Sequence, residues 1–276
     1  MEEERLLKME LRIFVSSLVL ALVFLPLLAW KWRIKMKIAI PGAVVIGGLT
    51  GFIVSGINSL PANFSMAALI FIELFFIFAI TFLVIIFKFY RDPERVPLET
   101  EKVILSPADG KVIYVKEIEE GSSLVSTKGE KRFELSEIMA TDSLSDVAYL
   151  IGIDMNMLNI HVNRSPIGGK IILQKHTKGK FLSLRKQESD ILNERVTTII
   201  DNGAFRIGVV QIASRLVRRI VSYLKDDNSV RIGQRIGAII FGSQVDVAIP
   251  EMENLRICVK PGDEVIAGVS VIARYG

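Results

Sequence analysis

The sequence predicts N-terminal transmembrane α-helices followed by a mainly antiparallel β (α+β) domain. Three observations carry that expectation. A mean hydropathy of +0.42 is high for a chain with 23% charged residues, so the apolar excess must be local. Three apolar runs fill the first ninety residues. From residue 102 onward, short β-rich runs alternate with glycine turns over a stretch that suits one domain.

Residues 13–30, IFVSSLVLALVFLPLLAW, hold no charge and are long enough to cross a hydrocarbon core of about 30 Å. A cleaved signal peptide is the competing reading, but the run lacks a small-residue cleavage site and a second apolar run follows at once. Residues 38–57 give the second span, in which Gly42, Gly47, Gly48 and Gly51 offer a small-residue face to another helix. Residues 66–87 give the third. Glu73 breaks it, and an ionisable residue inside a span is a functional suspect unless it faces a helix neighbour or the interface. The loop KWRIKMK carries Lys31, Arg33, Lys35 and Lys37, whereas NSLPANFS carries no charge. The first loop is therefore expected in the cytoplasm and the second outside, which puts the domain at 91–276 on the cytoplasmic side of the cell membrane as part of a multi-pass protein.

In that domain, KVILSPADGKVIYVKEI, VAYLIGI, IGGKIILQKH, ERVTTIIDNGAFRIGVVQIAS and ICVKPGDEVIAGVSVIARYG read as strands, with a helix expected around 134–141. Turns such as PGDEVIAG have lipoyl/hammerhead-like features, but no lysine stands at a hairpin tip for a carrier to modify. In RIGAIIFGSQVDVAIP, residues 235–250, Val245, Val247 and Ile249 alternate with Gln244, Asp246 and Ala248, yet Gly242-Ser243 interrupts the strand. Glycine there marks a bulge, a bend or a place where something approaches the backbone.

Composition narrows the chemistry. A net charge of +4 suits an anionic membrane surface or substrate, but no basic run interleaved with aromatics points to nucleic acid. Cys258 is the single cysteine, and His161 and His176 are the two histidines, so no metal centre is expected.

The stretches FYRDPER (89–95), SPADGKV (106–112), IHVNRSPIGGKI (160–171), HTKGKF (176–181), NER (193–195) and GAIIFGSQVDVAIP (237–250), in this order, resemble the phosphatidylserine decarboxylase proenzyme family, most closely its short bacterial and archaeal form. Some archaeal members of that form act on archaetidylserine. The resemblance implies a catalytic domain that cleaves itself at Gly242-Ser243 into β (1–242) and α (243–276) chains. It implies a covalent pyruvoyl cofactor made from Ser243, which forms a Schiff base with the amine of a membrane phospholipid and serves as electron sink for its decarboxylation. The residue types fit this chemistry. Glycine leaves the scissile carbonyl open, and Ser243 is the one hydroxyl or thiol side chain between Gly237 and Pro250.

His161 is the expected acid/base residue, because it stands in the motif IHVNRSP and imidazole titrates near neutral pH. Asp109 resembles the aspartate that orients a histidine; an ordinary Asp-Gly hairpin turn is its plainer reading. The long form of the family has His-x-x-His, but here the second position is Arg164. Either His161 serves both cleavage and turnover, or His176 or a water takes one step. Arg164 is expected to bind the substrate phosphate or carboxylate, with His176, Lys180 and Arg195 as further candidates. A homodimer is the ordinary expectation for the assembly. The alternative left open is a membrane-tethered, lipoyl-like adaptor without catalysis.

Overall fold

Each apolar run folds as one helix: α1 (Glu2–Lys31), α2 (Met36–Asn58) and α3 (Met66–Tyr90). This computed structural model describes residues 2–32, 34–59, 64–118, 124–125, 132–133, 139, 144, 147–179, 193–213, 220–224, 228–240 and 243–276. The chain divides into two units, 1–89 and 90–276. All three helices are long and apolar enough to cross a membrane. α1 begins well before the expected 13–30, because EEERLLKMELR is rich in helix formers and Lys8 pairs with Glu4 one turn away. The absence of charge marks where a membrane span can lie, which is a different boundary from the end of the helix.

In the first unit the small-residue face of α2 is used unevenly. A Cβ on Gly47 would lie 3.0 Å from the Leu18 Cα and the Ala21 Cβ, and one on Gly51 would lie 3.0 Å from the Phe14 ring. Those two glycines let α1 and α2 approach closely, while Gly42 has nothing within 4 Å. Glu73 is buried, and its Oε1 accepts a hydrogen bond of 2.6 Å from the Ser16 hydroxyl of α1. It faces a helix neighbour. A hydrogen-bonded polar pair between two spans ties the helices together where apolar contact alone is undirected.

The second unit is built on an eight-stranded antiparallel sheet. Its order is Ser229–Val230, Gly169–Thr177, Arg195–Asp201, Arg206–Ala213, Ser243–Pro250, Val147–Met155, Gly110–Glu117 and Glu264–Val265. Two three-stranded sheets accompany it. One is Ile220–Ser222, Arg235–Ile239 and Val162–Arg164; the other is Val103–Leu105, Val271–Arg274 and Arg256–Ile257. The chain thus has the expected class, apolar helices followed by mainly antiparallel β. The helix expected at 134–141 falls outside the described residues except for Met139, which is helical.

Strand periodicity assigns the two faces of the large sheet. Ile151, Ile153, Val209, Val245, Val247 and Ile249 point to one core, shared with Ile104, Ile236, Ile239 and Ala273 of the small sheets. Leu150, Val210, Ile212 and Ala248 point to a second core with Met139 and Leu144. The alternation of 243–250 therefore does not separate core from solvent. Gln244 and Asp246 are buried as well, and the Gln244 Nε2 donates to the Tyr114 hydroxyl (3.1 Å) and to Asp246 Oδ1 (2.8 Å). These bonds offset the cost of burying polar groups between two apolar layers.

Candidate active site

The strand Ser243–Pro250 has a partner on each side. Residue 243 lies opposite Met155 on one neighbour and Ala213 on the other. Gly242 falls outside the described residues, and of Ser243 only the backbone is described. The surrounding motifs nevertheless converge on this strand end. Ala213 donates its amide to the Glu194 carbonyl (2.9 Å) and accepts from the Asn193 side chain (2.9 Å), so the NER motif wraps the residue opposite 243. Glu194 in turn holds His176 through Oε1 and Nε2 at 2.8 Å. On the other side, Asn163 of IHVNRSP reaches the Met155 sulfur at 3.8 Å and accepts from Gln211 at 2.8 Å.

His161 joins the same end through the backbone. Its carbonyl accepts the Ile239 amide at 3.1 Å, and Ile239 precedes Ser243 by four residues. The imidazole is buried, and its Nδ1 lies 2.9 Å from the Asn159 carbonyl. A carbonyl only accepts, so Nδ1 carries the proton and Nε2 is the basic nitrogen of the neutral ring. Burial pushes its pKa down to about 4, against the opposing effects of the Asn159 carbonyl and the Asp109 charge. The ring is neutral at physiological pH.

Asp109 is fixed elsewhere. Arg95 grips it with two nearly parallel hydrogen bonds, Nη1 to Oδ1 at 2.5 Å and Nη2 to Oδ2 at 2.9 Å. The Ala267 amide adds a third, to Oδ1 at 2.8 Å. The hydrogen bond that orients His161 on the Nδ1 side thus comes from Asn159, and Asp109 acts on the ring through its charge. Nor does Gly110 act as a turn glycine: a Cβ there would lie 2.4 Å from the Asp154 carbonyl oxygen, so the position demands close backbone approach. The Pro107 carbonyl accepts the Arg164 amide at 2.8 Å, which sets this loop along Val162–Arg164.

Arg164 is buried, with its guanidinium turned to internal acceptors. Nη2 donates to Asp92 at 3.1 Å and to the Pro93 carbonyl at 3.0 Å, and Nη1 donates to the Gly233 carbonyl at 3.1 Å. Gly268, at φ +70°, leaves room for it: a Cβ there would lie 2.8 Å from the Arg164 Cδ. Such an arginine braces the segment after the last helix. Arg195 is likewise buried, in register with Thr177 and Ile212, and His176 is exposed on its strand. Lys180 lies outside the described residues. Sequence reasoning overlooked Arg95 and Asn159. Arg95 had a signal, since it ends the motif FYRDPER; Asn159 contributes only a backbone carbonyl and had none.

Comparison with known proteins decides the class. Residues 82–273 match the family described as phosphatidylserine decarboxylase. The chain belongs to the phosphatidylserine decarboxylase family. It is 41% identical over 185 residues to a protein of Methanocaldococcus jannaschii assigned as an archaetidylserine decarboxylase proenzyme, covering 67% of this chain and 87% of that one. It is 37% identical over 199 residues to the phosphatidylserine decarboxylase proenzyme of Chlorobium chlorochromatii, covering 72% and 82%. The corresponding protein of Pelobacter propionicus is 34% identical over 189 residues, covering 68% and 76%. As a member of this family the chain is an enzyme, a decarboxylase, and the adaptor reading lapses.

The depressed His161 pKa makes a prediction about stability. The unfolded chain protonates this ring near 6.5 and the folded protein only near 4, so acid favours unfolding between those values. The contribution is complete above pH 6.5 and is lost as the pH falls toward 4. Denaturant unfolding in detergent at pH 7 and pH 4.5 should show the wild type losing on the order of 2–3 kcal/mol more than His161→Gln. Equal losses in the two proteins would show that the ring is not buried in its neutral form.

Proposed function

We propose that this chain is a membrane-anchored proenzyme that cleaves itself at Gly242-Ser243 and then decarboxylates a serine phospholipid, phosphatidylserine or archaetidylserine, to the ethanolamine phospholipid. Residues 1–90 are its anchor and 91–276 its catalytic domain. The observation that carries this reading is the backbone link between the neutral, buried His161 and Ile239, four residues ahead of a serine that opens the central strand. The match to a decarboxylase family and the proenzyme names of the relatives support it.

Self-cleavage begins when the Ser243 hydroxyl attacks the Gly242 carbonyl carbon. The peptide C–N bond breaks, the nitrogen of residue 243 takes a proton, and an ester joins the two halves. His161 accepts the hydroxyl proton at Nε2, and the fixed negative charge of Asp109 stabilises the imidazolium that forms. Removal of the residue 243 α-proton then expels the ester oxygen. This leaves a carboxylate on Gly242 and a dehydroalanine at residue 243, which takes up water and releases ammonia to give the pyruvoyl end.

The surroundings fit such a group. Met155, Ala213 and Val245 beside residue 243 are buried, so the strand end is dry, and a neutral imidazole comes with the Ile239 linkage. The pyruvoyl group supplies a ketone that takes the substrate amine covalently and accepts the electron pair released with carbon dioxide. His161 takes a proton from the substrate ammonium group at Nε2 and returns it to the substrate α-carbon after carbon dioxide leaves, beside the buried Met155 and Ala213. The exposed His176, held by Glu194, is placed by this reading on the headgroup side.

Two experiments test the reading. Ser243→Ala should lack all decarboxylase activity, and borohydride added with substrate should fix the lipid amine to the 34-residue α chain of wild type but nowhere on the mutant. Amine trapped on a lysine, or activity in the mutant, refutes it. For the cytoplasmic placement, a membrane-impermeant maleimide applied to intact cells should label Ser59→Cys and leave the exposed native Cys258 unlabelled. Labelling of Cys258 from outside reverses the topology.

A further inference from the structure

In the segment after the third helix, RDPERVPLET, exposed and half-buried side chains alternate from Glu94 to Leu98. Arg95 is turned in to Asp109, and Pro97 packs so closely on Gly233 that a Cβ there would lie 2.8 Å from the proline ring. Val96 and Leu98 are turned out, 81% and 86% exposed. Both are barer than any large apolar side chain described on the three membrane helices, where exposure reaches 75%. Large aliphatic groups left this open on a tightly held backbone indicate a covering surface.

We propose that residues 91–100 form a strap that lies on the bilayer, with Val96 and Leu98 in the lipid interface and the adjoining cleft receiving the anionic headgroup of a phospholipid. This rests on the reading that the helices cross a membrane. Chain continuity identifies the occupant: Leu98 follows Tyr90 by eight residues, which an extended chain spans in at most about 27 Å. Charge agrees with it. The carboxylates of the strap are paired, Asp92 with Arg164 and Arg235, Glu94 with Arg235 at 2.7 Å and Glu99 with Arg274 at 2.5 Å. Beside the strap opens a cleft of about 780 Å³ lined by Val96, Pro97, Tyr223, Arg231 and Arg235. Arg231 is exposed there and has no carboxylate partner among the described residues. An exposed cation in a cleft that Val96 also lines is suited to a lipid phosphate.

The test uses the full chain in phospholipid vesicles, with single fluorescent cysteine labels in a Cys258→Ser background and brominated lipids as quenchers. Labels at Val96 and Leu98 should be quenched, as should one at Phe82 on the third helix. A label at Glu117, seven residues along its strand from Gly110, should not. Quenching at 82 with positions 96 and 98 behaving like 117 overturns the strap and leaves the anchor standing; no quenching at 82 overturns both. Arg231→Gln should weaken quenching at 98 in vesicles containing anionic lipid and not in zwitterionic ones, and an unchanged charge dependence removes the headgroup from the cleft. These readouts need no turnover, so they are independent of the decarboxylase reading. In turnover, Val96→Asp with Leu98→Asp should raise KM for vesicle-borne substrate about tenfold and leave a dispersed short-chain substrate within about twofold. Equal effects on both substrates contradict the strap.

Discussion

The ion pair between Arg95 and Asp109 ties together three distant parts of the catalytic unit. Arg95 belongs to the segment that follows the last helix, Asp109 to the loop that leads into the strand Gly110–Glu117, and Ala267, which bonds both, to the turn between Glu264–Val265 and Val271–Arg274. Both side chains are about 10% exposed, so neither charge can be left without the other; removing one partner of such a pair typically costs about 3–5 kcal/mol. Arg95 and the Ala267 amide fix Asp109 in place, and the Asp109 charge acts on His161. The same segment, through Asp92 and the Pro93 carbonyl, holds Arg164, the last residue of the strand that follows His161.

Around that brace the sheet supplies a fixed strand end. Residues 244–250 are buried on both faces, one apolar and one carrying the Gln244, Asp246 and Tyr114 polar contacts, so the strand has little freedom to slide. Rigidity at that end matters for the proposed self-cleavage, because the attack of a side chain on its own backbone needs the hydroxyl and carbonyl held at bonding geometry. A buried, neutral imidazole is a weak base in the ground state. The Arg95 clamp fixes Asp109 nearby, and the Asp109 charge partly opposes the effect of burial on the ring.

Features with a local cause were legible in the sequence. Apolar runs gave the three long helices, and period-two alternation gave the two faces of 243–250. Glycine spacing gave the α1–α2 contact at Gly47 and Gly51, although not which glycines of the set would touch. Features made by distant partners were not legible. Nothing local shows that Asp92 and the Gly233 carbonyl, far away in the chain, accept the donors of Arg164. Asp109 looks like a turn residue or a histidine partner, and only the assembled fold shows Arg95 and Ala267 holding it. The burial of Gln244 and Asp246 was hidden for the same reason, since an alternating strand covered on both faces reads like one that faces water.

The central claim is that a peptide bond of this chain becomes its own electrophile. Intact-mass measurement of the purified, active protein tests that most directly. The account predicts two chains, residues 1–242 and 243–276, the smaller lighter by one ammonia than the same peptide with an amino-terminal serine. A single uncleaved mass in active protein, or a smaller chain that keeps its amino-terminal serine, would contradict it.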